Sequence, residues 1–229
     1  AIETAARLEK MGCHAQDTDT AHYYSEQALN AMLRKDFERA RELLRRALDR
    51  NRKAVRATLL LGDIALQAGD AEAALEHWRG VETQNAAYLP IAAERLMTAF
   101  GELGRLEEGL ELLQAYLLRY PSQDLFHILF NAVAKARGWP AAERLAAEAL
   151  QRQPGLRTLD DYLQARVGQA DLPAPLETRM AQDLVHRQVS RASVYQCGQC
   201  GFRARQFFWQ CPACARWDSI APERKELEI

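Results

Sequence analysis

The sequence predicts a mostly α-helical protein that ends in a small metal domain built on four cysteines. Two observations carry that expectation. A helix-turn-helix pattern returns at a period near 34 through the first two thirds of the chain, and two Cys-x-x-Cys pairs, ten residues apart, stand near its end. The length of 229 residues suffices for one elongated domain and a small one. Thirty basic and 31 acidic residues leave a net charge of −1, which argues against a general nucleic-acid binder with its basic stripe. Charged residues at 27% and hydrophobic ones at 48% are ordinary for a globular protein. No run of 18 apolar residues is present, so the chain as it stands does not span a membrane, and no leader sequence is visible.

The chain opens Ala1-Ile2-Glu3-Thr4-Ala5-Ala6-Arg7-Leu8, without methionine and already in helical rhythm. It reads as the inside of a helix, so the chain is expected to begin within a longer protein. Cys13 reads as a small buried apolar residue rather than a catalytic thiol. His14 beside it changes nothing, because neighbouring residues on a helix point different ways.

The repeats come next. Four turns align: Lys35-Asp36-Phe37, Gly69-Asp70-Ala71, Gly104-Arg105-Leu106 and Gly138-Trp139-Pro140. Asp36 and Asp70 are candidate caps for the second helix of each pair, and Pro140 suits a helix start. The small residues Ala40, Ala74, Gly109 and Ala142 then lie 34, 35 and 33 residues apart. Small residues let the two helices of a pair cross closely, while Leu44, Trp78 and Leu113 are positioned to fill the space between pairs. Pro121 and Pro154 close the third and fourth units. In phase, these features resemble the tetratricopeptide repeat over residues 1–155. The aromatic expected early in the first helix is Tyr24 or Phe126 in two units but Thr58 and Ala93 in the others.

Such arrays form a superhelix whose concave face is lined by the first helix of each pair and commonly binds peptide or protein. The phase of the repeats places Ser25, Leu29, Met32, Leu59, Asp63, Leu66, Glu94, Thr98, His127 and Asn131 along that partner groove. His22, His77, His127 and His186 stand isolated and read as surface or packing residues.

Residues 156–194 form a helical linker: a helix over Thr158–Val167, a loop over Gly168–Pro175 that contains Pro173, and a helix over Leu176–Val189. The apolar spacing of Leu176, Met180, Leu184 and Val185 is expected to dock the metal domain against the array. No nucleotide-binding glycine loop, zinc-protease helix or nucleophile elbow occurs, so the expectation is a protein without catalytic residues.

The last segment, 195–229, carries Cys197-Gly198-Gln199-Cys200 and Cys211-Pro212-Ala213-Cys214. Two facing knuckles make a tetrahedron of sulfurs, a geometry that both zinc and mononuclear iron accept. Cys197, Cys200, Cys211 and Cys214 are therefore the candidate ligands of one metal ion, iron or zinc. A pair of disulfides or a dithiol redox centre is the competing reading, yet a redox Cys-x-x-Cys usually comes once, at a helix start. Gly198 and Gly201 ease the backbone turn at the first knuckle, Pro212 stiffens the second, and Ala215 stands where a second glycine would be welcome. About 35 residues bury too little apolar surface to fold unaided. Phe202, Phe207, Phe208, Trp209 and Trp217 read as cover for the metal, with short strands over Phe202–Phe208, and ligation supplies the remaining folding free energy.

Repeats followed directly by Cys197-Gly198-Gln199-Cys200-Gly201-Phe202, then Phe208-Trp209-Gln210-Cys211-Pro212-Ala213-Cys214, then Trp217, resemble the bacterial lipopolysaccharide assembly protein B family along the whole chain. The resemblance implies a tetratricopeptide-repeat superhelix with a small C-terminal rubredoxin-like or zinc-ribbon-like four-cysteine metal domain. It implies a non-enzymatic regulatory adapter at the cytoplasmic face of the Gram-negative inner membrane, with an N-terminal membrane helix that precedes the repeats. It also implies partners: a membrane-anchored AAA+ metalloprotease, the deacetylase that commits cells to lipid A synthesis and whose turnover the family promotes, and other lipopolysaccharide assembly proteins. Nucleic acid is not among them, and homo-oligomers are compatible with the array. Two other classes stay open on the residues alone. One is a rubredoxin-type electron carrier; the other is a zinc-ribbon nucleic-acid binder that uses Arg203, Arg205 and Arg216, offset by Asp218, Glu223, Glu226 and Glu228.

Overall fold

The four aligned turns fold as the sequence predicts. Lys35, Gly69, Gly104 and Gly138, the equivalent residues of the four units, all adopt the left-handed backbone, at φ 62°, 82°, 68° and 82°. This one residue reverses the chain between the helices of a pair, and glycine takes it at no steric cost in three of the four. Asp36 and Asp70 then cap the next helix: their carboxylates accept from Arg39 N at 3.1 Å and Ala73 N at 2.9 Å. Residues 17–169 and 174–226 are described by this structure, a computed structural model. Cys13, His14, the helical start and Pro173 fall outside the described residues.

The chain divides into two compact units between Gly104 and Arg105. The first contains α1 (Asp17–Leu33), α2 (Phe37–Arg50), α3 (Val55–Gln67), α4 (Ala71–Arg79), the short α5 (Val81–Asn85), a 3-10 turn (Ala86–Tyr88) and α6 (Leu89–Glu102). Its core follows the repeat phase. Ala40 and Ala74 are fully buried where paired helices cross, and Leu44 and Trp78 are fully buried beside them. The Trp78 indole donates from Nε1 to Leu59 O at 3.0 Å. It lies so close to α3 that a Cβ on Gly62 would fall 2.2 Å from Nε1. Burying an indole removes about 150–250 Å² from water, which at about 25 cal/mol per Å² contributes up to about 4–6 kcal/mol. Gly62 is what lets α3 accept it.

The second unit contains α7 (Leu106–Arg119), α8 (Gln123–Arg137), α9 (Trp139–Arg152), α10 (Leu156–Gly168), α11 (Leu176–Ala192) and three short strands, β1 (Ser193–Gln196), β2 (Arg203–Ala204) and β3 (Lys225–Glu226). The strands form one antiparallel sheet of order β2-β1-β3, with Tyr195 opposite Ala204 and Val194 opposite Lys225. Ser122 caps α8 by accepting from Leu125 N at 3.2 Å. Gly109 and Ala142 are buried at the positions the repeat predicts.

Both linker helices are present, and the second packs on α10 and on β1 and β3, but of its expected apolar stripe only Val185 is even half-buried. Leu176, Met180 and Leu184 are largely exposed, at 61%, 57% and 62%. Apolar spacing marks a stripe on a helix; whether the same chain covers that stripe is a tertiary matter. Polar contacts also fasten the metal module. The strand reading of Phe202–Phe208 also shrinks to Arg203–Ala204, and the longest strand of the sheet, β1, lies before the first cysteine.

Candidate metal centre

Each knuckle is a tight loop closed by backbone hydrogen bonds. In the first, Gly201 N donates to Cys197 O at 3.0 Å and Cys197 N to Phe202 O at 2.8 Å. In the second, Ala215 N donates to Cys211 O and Cys211 N to Arg216 O, both at 2.9 Å. The two loops are therefore copies of one conformation, and each needs a left-handed residue after its second cysteine. Gly201 supplies it at φ 76° and Ala215 at φ 57°. Ala215 carries a steric cost that Gly201 does not. Gly198 has another role than the turn: its N–H donates to Ser219 O at 2.7 Å and ties the first knuckle to the segment that returns through Ile220.

The four sulfurs Cys197, Cys200, Cys211 and Cys214 lie within 4.8 Å of one another. The Cys197–Cys214 and Cys200–Cys211 separations are 3.8 and 3.7 Å. A metal–sulfur bond of about 2.3 Å puts the sulfurs of a tetrahedron about 3.8 Å apart, so the cluster fits one four-thiolate metal ion as it stands. All four cysteines are free in this structure. Cys197 and Cys211 are buried, Cys214 is half-buried and Cys200 is exposed, so one edge of the cluster faces water.

The Cys197 thiol is pulled down to about 6, first by the Ser219 hydroxyl 3.3 Å away and, against the effect of burial, by the Cys200 and Gln199 amides. Cys200 is pushed up to about 12: the Phe202 amide draws it down, but burial and the three neighbouring sulfurs outweigh that pull. Sulfurs in near contact cannot all ionise unaided. A bound cation favours the thiolate at each of them.

Three of the five aromatic side chains expected over the cluster cover it. Phe202, Phe207 and Phe208 pack with Tyr195 against Cys197, Cys211 and Ile220. Tyr195 and Phe207 meet edge to face at 5.8 Å, and Phe207 and Trp209 at 5.1 Å.

No pattern in the sequence announces what anchors this module. Asp124, 4% exposed in the first turn of α8, is the hub. Its carboxylate accepts Arg224 N at 2.7 Å and Arg224 Nε at 2.8 Å, and it pairs with the buried Arg157 guanidinium of α10. Beside it, Glu223 accepts Gln123 N at 2.9 Å, which satisfies a first-turn amide of α8. Burial opposes ionisation of Asp124, but Arg157 and Arg224 together hold its carboxyl below the usual carboxylate range. Because 100 residues separate Asp124 from Arg224, no local pattern could have revealed the pair.

Two histidines read as isolated are also held. His127 Nδ1 lies 2.6 Å from Asp161 and its Nε2 3.0 Å from Asn131 Nδ2. His186 Nδ1 lies 2.9 Å from Asp160, whose carboxyl burial pushes up against the pull of that histidine.

The residues expected along a partner groove divide between the units. In the first unit, Glu94 and Thr98 are exposed, Leu29, Met32 and Leu66 are half-buried, and Asp63 pairs with Arg95 at 2.7 Å. Ser25 and Leu59 are 1% and 2% exposed and offer a partner no surface. The Ser25 hydroxyl donates to Ala21 O and the Leu59 carbonyl accepts Trp78, so both face the interior of their own repeats. In the second unit, His127 is half-buried and Asn131 exposed.

Comparison with known proteins agrees with both modules. A model described as a rubredoxin metal binding domain matches residues 195–222, and a tetratricopeptide repeat model matches residues 26–88. Lipopolysaccharide assembly protein B of Escherichia coli strain K12 is 29% identical over 225 residues, 98% of this chain and 58% of that protein. The protein of the same name from Haemophilus influenzae is 24% identical over 97% of this chain and 56% of its own length. The chain thus spans a little over half the length of the curated relatives it matches. Among solved structures, Pseudomonas aeruginosa pilF overlays at TM-score 0.45 with 15% identity, covering 77% of this chain and 93% of that one. The fold assignment stands on the helix pairs themselves.

Proposed function

We propose that this chain is part of a non-catalytic adapter that controls lipopolysaccharide synthesis and assembly through protein–protein binding. One observation carries the reading: similarity to proteins named Lipopolysaccharide assembly protein B runs through 98% of the chain, across both its repeats and its metal module. Repeat arrays serve recognition far more often than chemistry. In this reading residues 1–155 hold partners, 156–194 link, and 195–229 form a module held by one iron or zinc ion on Cys197, Cys200, Cys211 and Cys214. Bound there, the ion would supply folding free energy and favour the thiolate form of its ligands. The chain's own residues do the rest: the knuckle amides stabilise thiolate, the aromatic rings exclude water, and Asp124 fixes the module on α8.

The finer proposal is that the adapter promotes turnover of the deacetylase committed to lipid A, by presenting it to a membrane-anchored AAA+ protease. The site of action is then the cytoplasmic face of the inner membrane, with the anchor in the longer parent protein. No helix among the described residues is long and apolar enough to cross a membrane. The test is the half-life of the deacetylase in cells that carry the full-length parent, native or with Cys197→Ser and Cys200→Ser. A half-life shortened by the native protein and not by the double variant supports the proposal. An equal half-life with and without the native protein defeats it.

A further inference from the structure

An open cavity of about 520 Å³ lies in the second unit among α7, α8, α9 and the C-terminal segment. That volume is inside the range of about 300–1,000 Å³ over which ligand pockets are built. Its floor is apolar, with Phe126 and Leu129. Its lip is Leu118, 82% exposed, among the largest exposures of any apolar side chain described. An apolar lip above an apolar floor is the arrangement a partner's side chains would cover. The rim carries two carboxylates, Glu148 and Glu223, against one guanidinium, Arg152. Arg152 and Glu148 are 3.9 Å apart with both side chains largely in water, so they satisfy each other weakly.

We propose that this groove docks a helical segment of a partner protein, one that presents apolar side chains a turn apart and a basic residue beside them. Apolar anchors suit the floor and lip in the manner of a helix laid into a groove. The basic residue suits a rim on which acid outnumbers base. The same rim, with more acid than base, is the wrong sign for an anionic membrane surface. Glu223 lies within the metal module's segment and is held by Gln123, so that module builds one wall of the groove. The proposal deepens the adapter reading and rests on it.

The test uses the metal-loaded full chain and three capped fluorescent peptides: a helix with leucines one turn apart and arginines alongside, its twin with glutamate for arginine, and a scrambled version of the first. Anisotropy titrations compare the native chain with Leu118→Asp and Glu148→Lys, both of which change exposed side chains and leave the core intact. The expected result is saturable binding of the basic peptide. Leu118→Asp weakens it by about tenfold or more, the loss of one buried leucine contact. Glu148→Lys weakens it severalfold and improves the acidic twin. Equal affinity for the scrambled peptide, or no loss in Leu118→Asp, overturns the groove while leaving the adapter reading to the half-life assay, which does not depend on these probes. Concentration-dependent self-association that Leu118→Asp abolishes places a second copy of the chain in the groove and likewise overturns a partner protein as its occupant.

Discussion

Replacing Asp124 by asparagine tests how the metal module is held. The side chain keeps its size and loses its charge, so the perturbation is electrostatic. Arg157, 6% exposed, then remains buried without its carboxylate. Removing one partner of a buried ion pair costs about 3–5 kcal/mol. Arg224 has a side chain 34% exposed and recovers water, so its share falls toward the surface value of about 0–1 kcal/mol. Asparagine still offers one oxygen to the Arg224 amide, which keeps the total near the lower bound, about 3 kcal/mol. At about 3–4 °C per kcal/mol for a unit of this size, the melting midpoint falls by about 10 °C. Near-ultraviolet circular dichroism of the metal-loaded chain follows the midpoint. Hydrogen exchange at the Arg224 and Gln123 amides reports the latch directly, since both donate across it. Adding Arg157→Met to Asp124→Asn should recover part of the loss, because the stranded cation is gone. A midpoint within about 3 °C of native, with both amides still protected, would refute the latch.

Four further outcomes are expected. Chelating the metal should abolish the near-ultraviolet signal of Phe207 and Trp209 while most helical signal in the far ultraviolet survives, since the repeats have their own core. Gly62→Ala should destabilise by about 1–3 kcal/mol or more, since its Cβ meets the Trp78 ring rather than open space; urea unfolding measures it, and an unchanged midpoint would disprove the close approach. Ala215→Gly and Lys35→Gly, at φ 57° and 62°, should each stabilise by about 0.5–1 kcal/mol in the same assay, because glycine removes left-handed strain. Acidification should destabilise in two stages. Burial holds His77 below its ordinary 6.5, so the unfolded chain binds more protons and stability falls as pH drops below that value. Asp124, also held below its ordinary value, contributes stability that is present above the usual carboxylate range and lost as pH falls through its lowered pKa. Urea midpoints in a pH series read both stages, and Asp124→Asn should flatten the second.

What could be read in advance follows the range of the forces involved. The knuckles and the turns are local: a left-handed residue, a capping aspartate and a pair of thiols with two residues between them each act within a few positions, so their spacing carried the metal cluster and the repeat phase. The burial of Ala40, Ala74, Gly109 and Ala142 was legible for the same reason, since periodicity encodes which face turns inward. The burial of Ser25 and Leu59 was not legible, because that phase distinguishes inner from outer faces only coarsely, and a hydroxyl that bonds back to Ala21 needs no partner beyond its own helix. The stripe on α11 was legible as apolar but not as exposed. Asp124 was not legible at all: its partners come from α10 and from a segment 100 residues away, and an isolated aspartate near a helix start reads as a cap.

That hidden contact gives the metal centre its reach. From Cys197 the chain of interactions runs through the Gly198 bond to Ser219 and the Ile220 bridge, then along the returning segment to Glu223 and Arg224. There it enters the first turn of α8 through Gln123 and Asp124, and α10 through Arg157. Loss of the metal removes the ligation that holds the returning segment in place. The end of the path is then an Arg157–Asp124 pair stripped of Arg224 and an unfilled amide at the start of α8, not merely an unfolded tail. A four-thiolate site with one edge open to water can in this way set the order of the helices that its module touches. The expected signature is specific: metal removal should raise hydrogen exchange in the first turn of α8 and leave the interior of α3, in the other unit, unchanged. Equal loosening of both would mean general destabilisation and would sink this coupling.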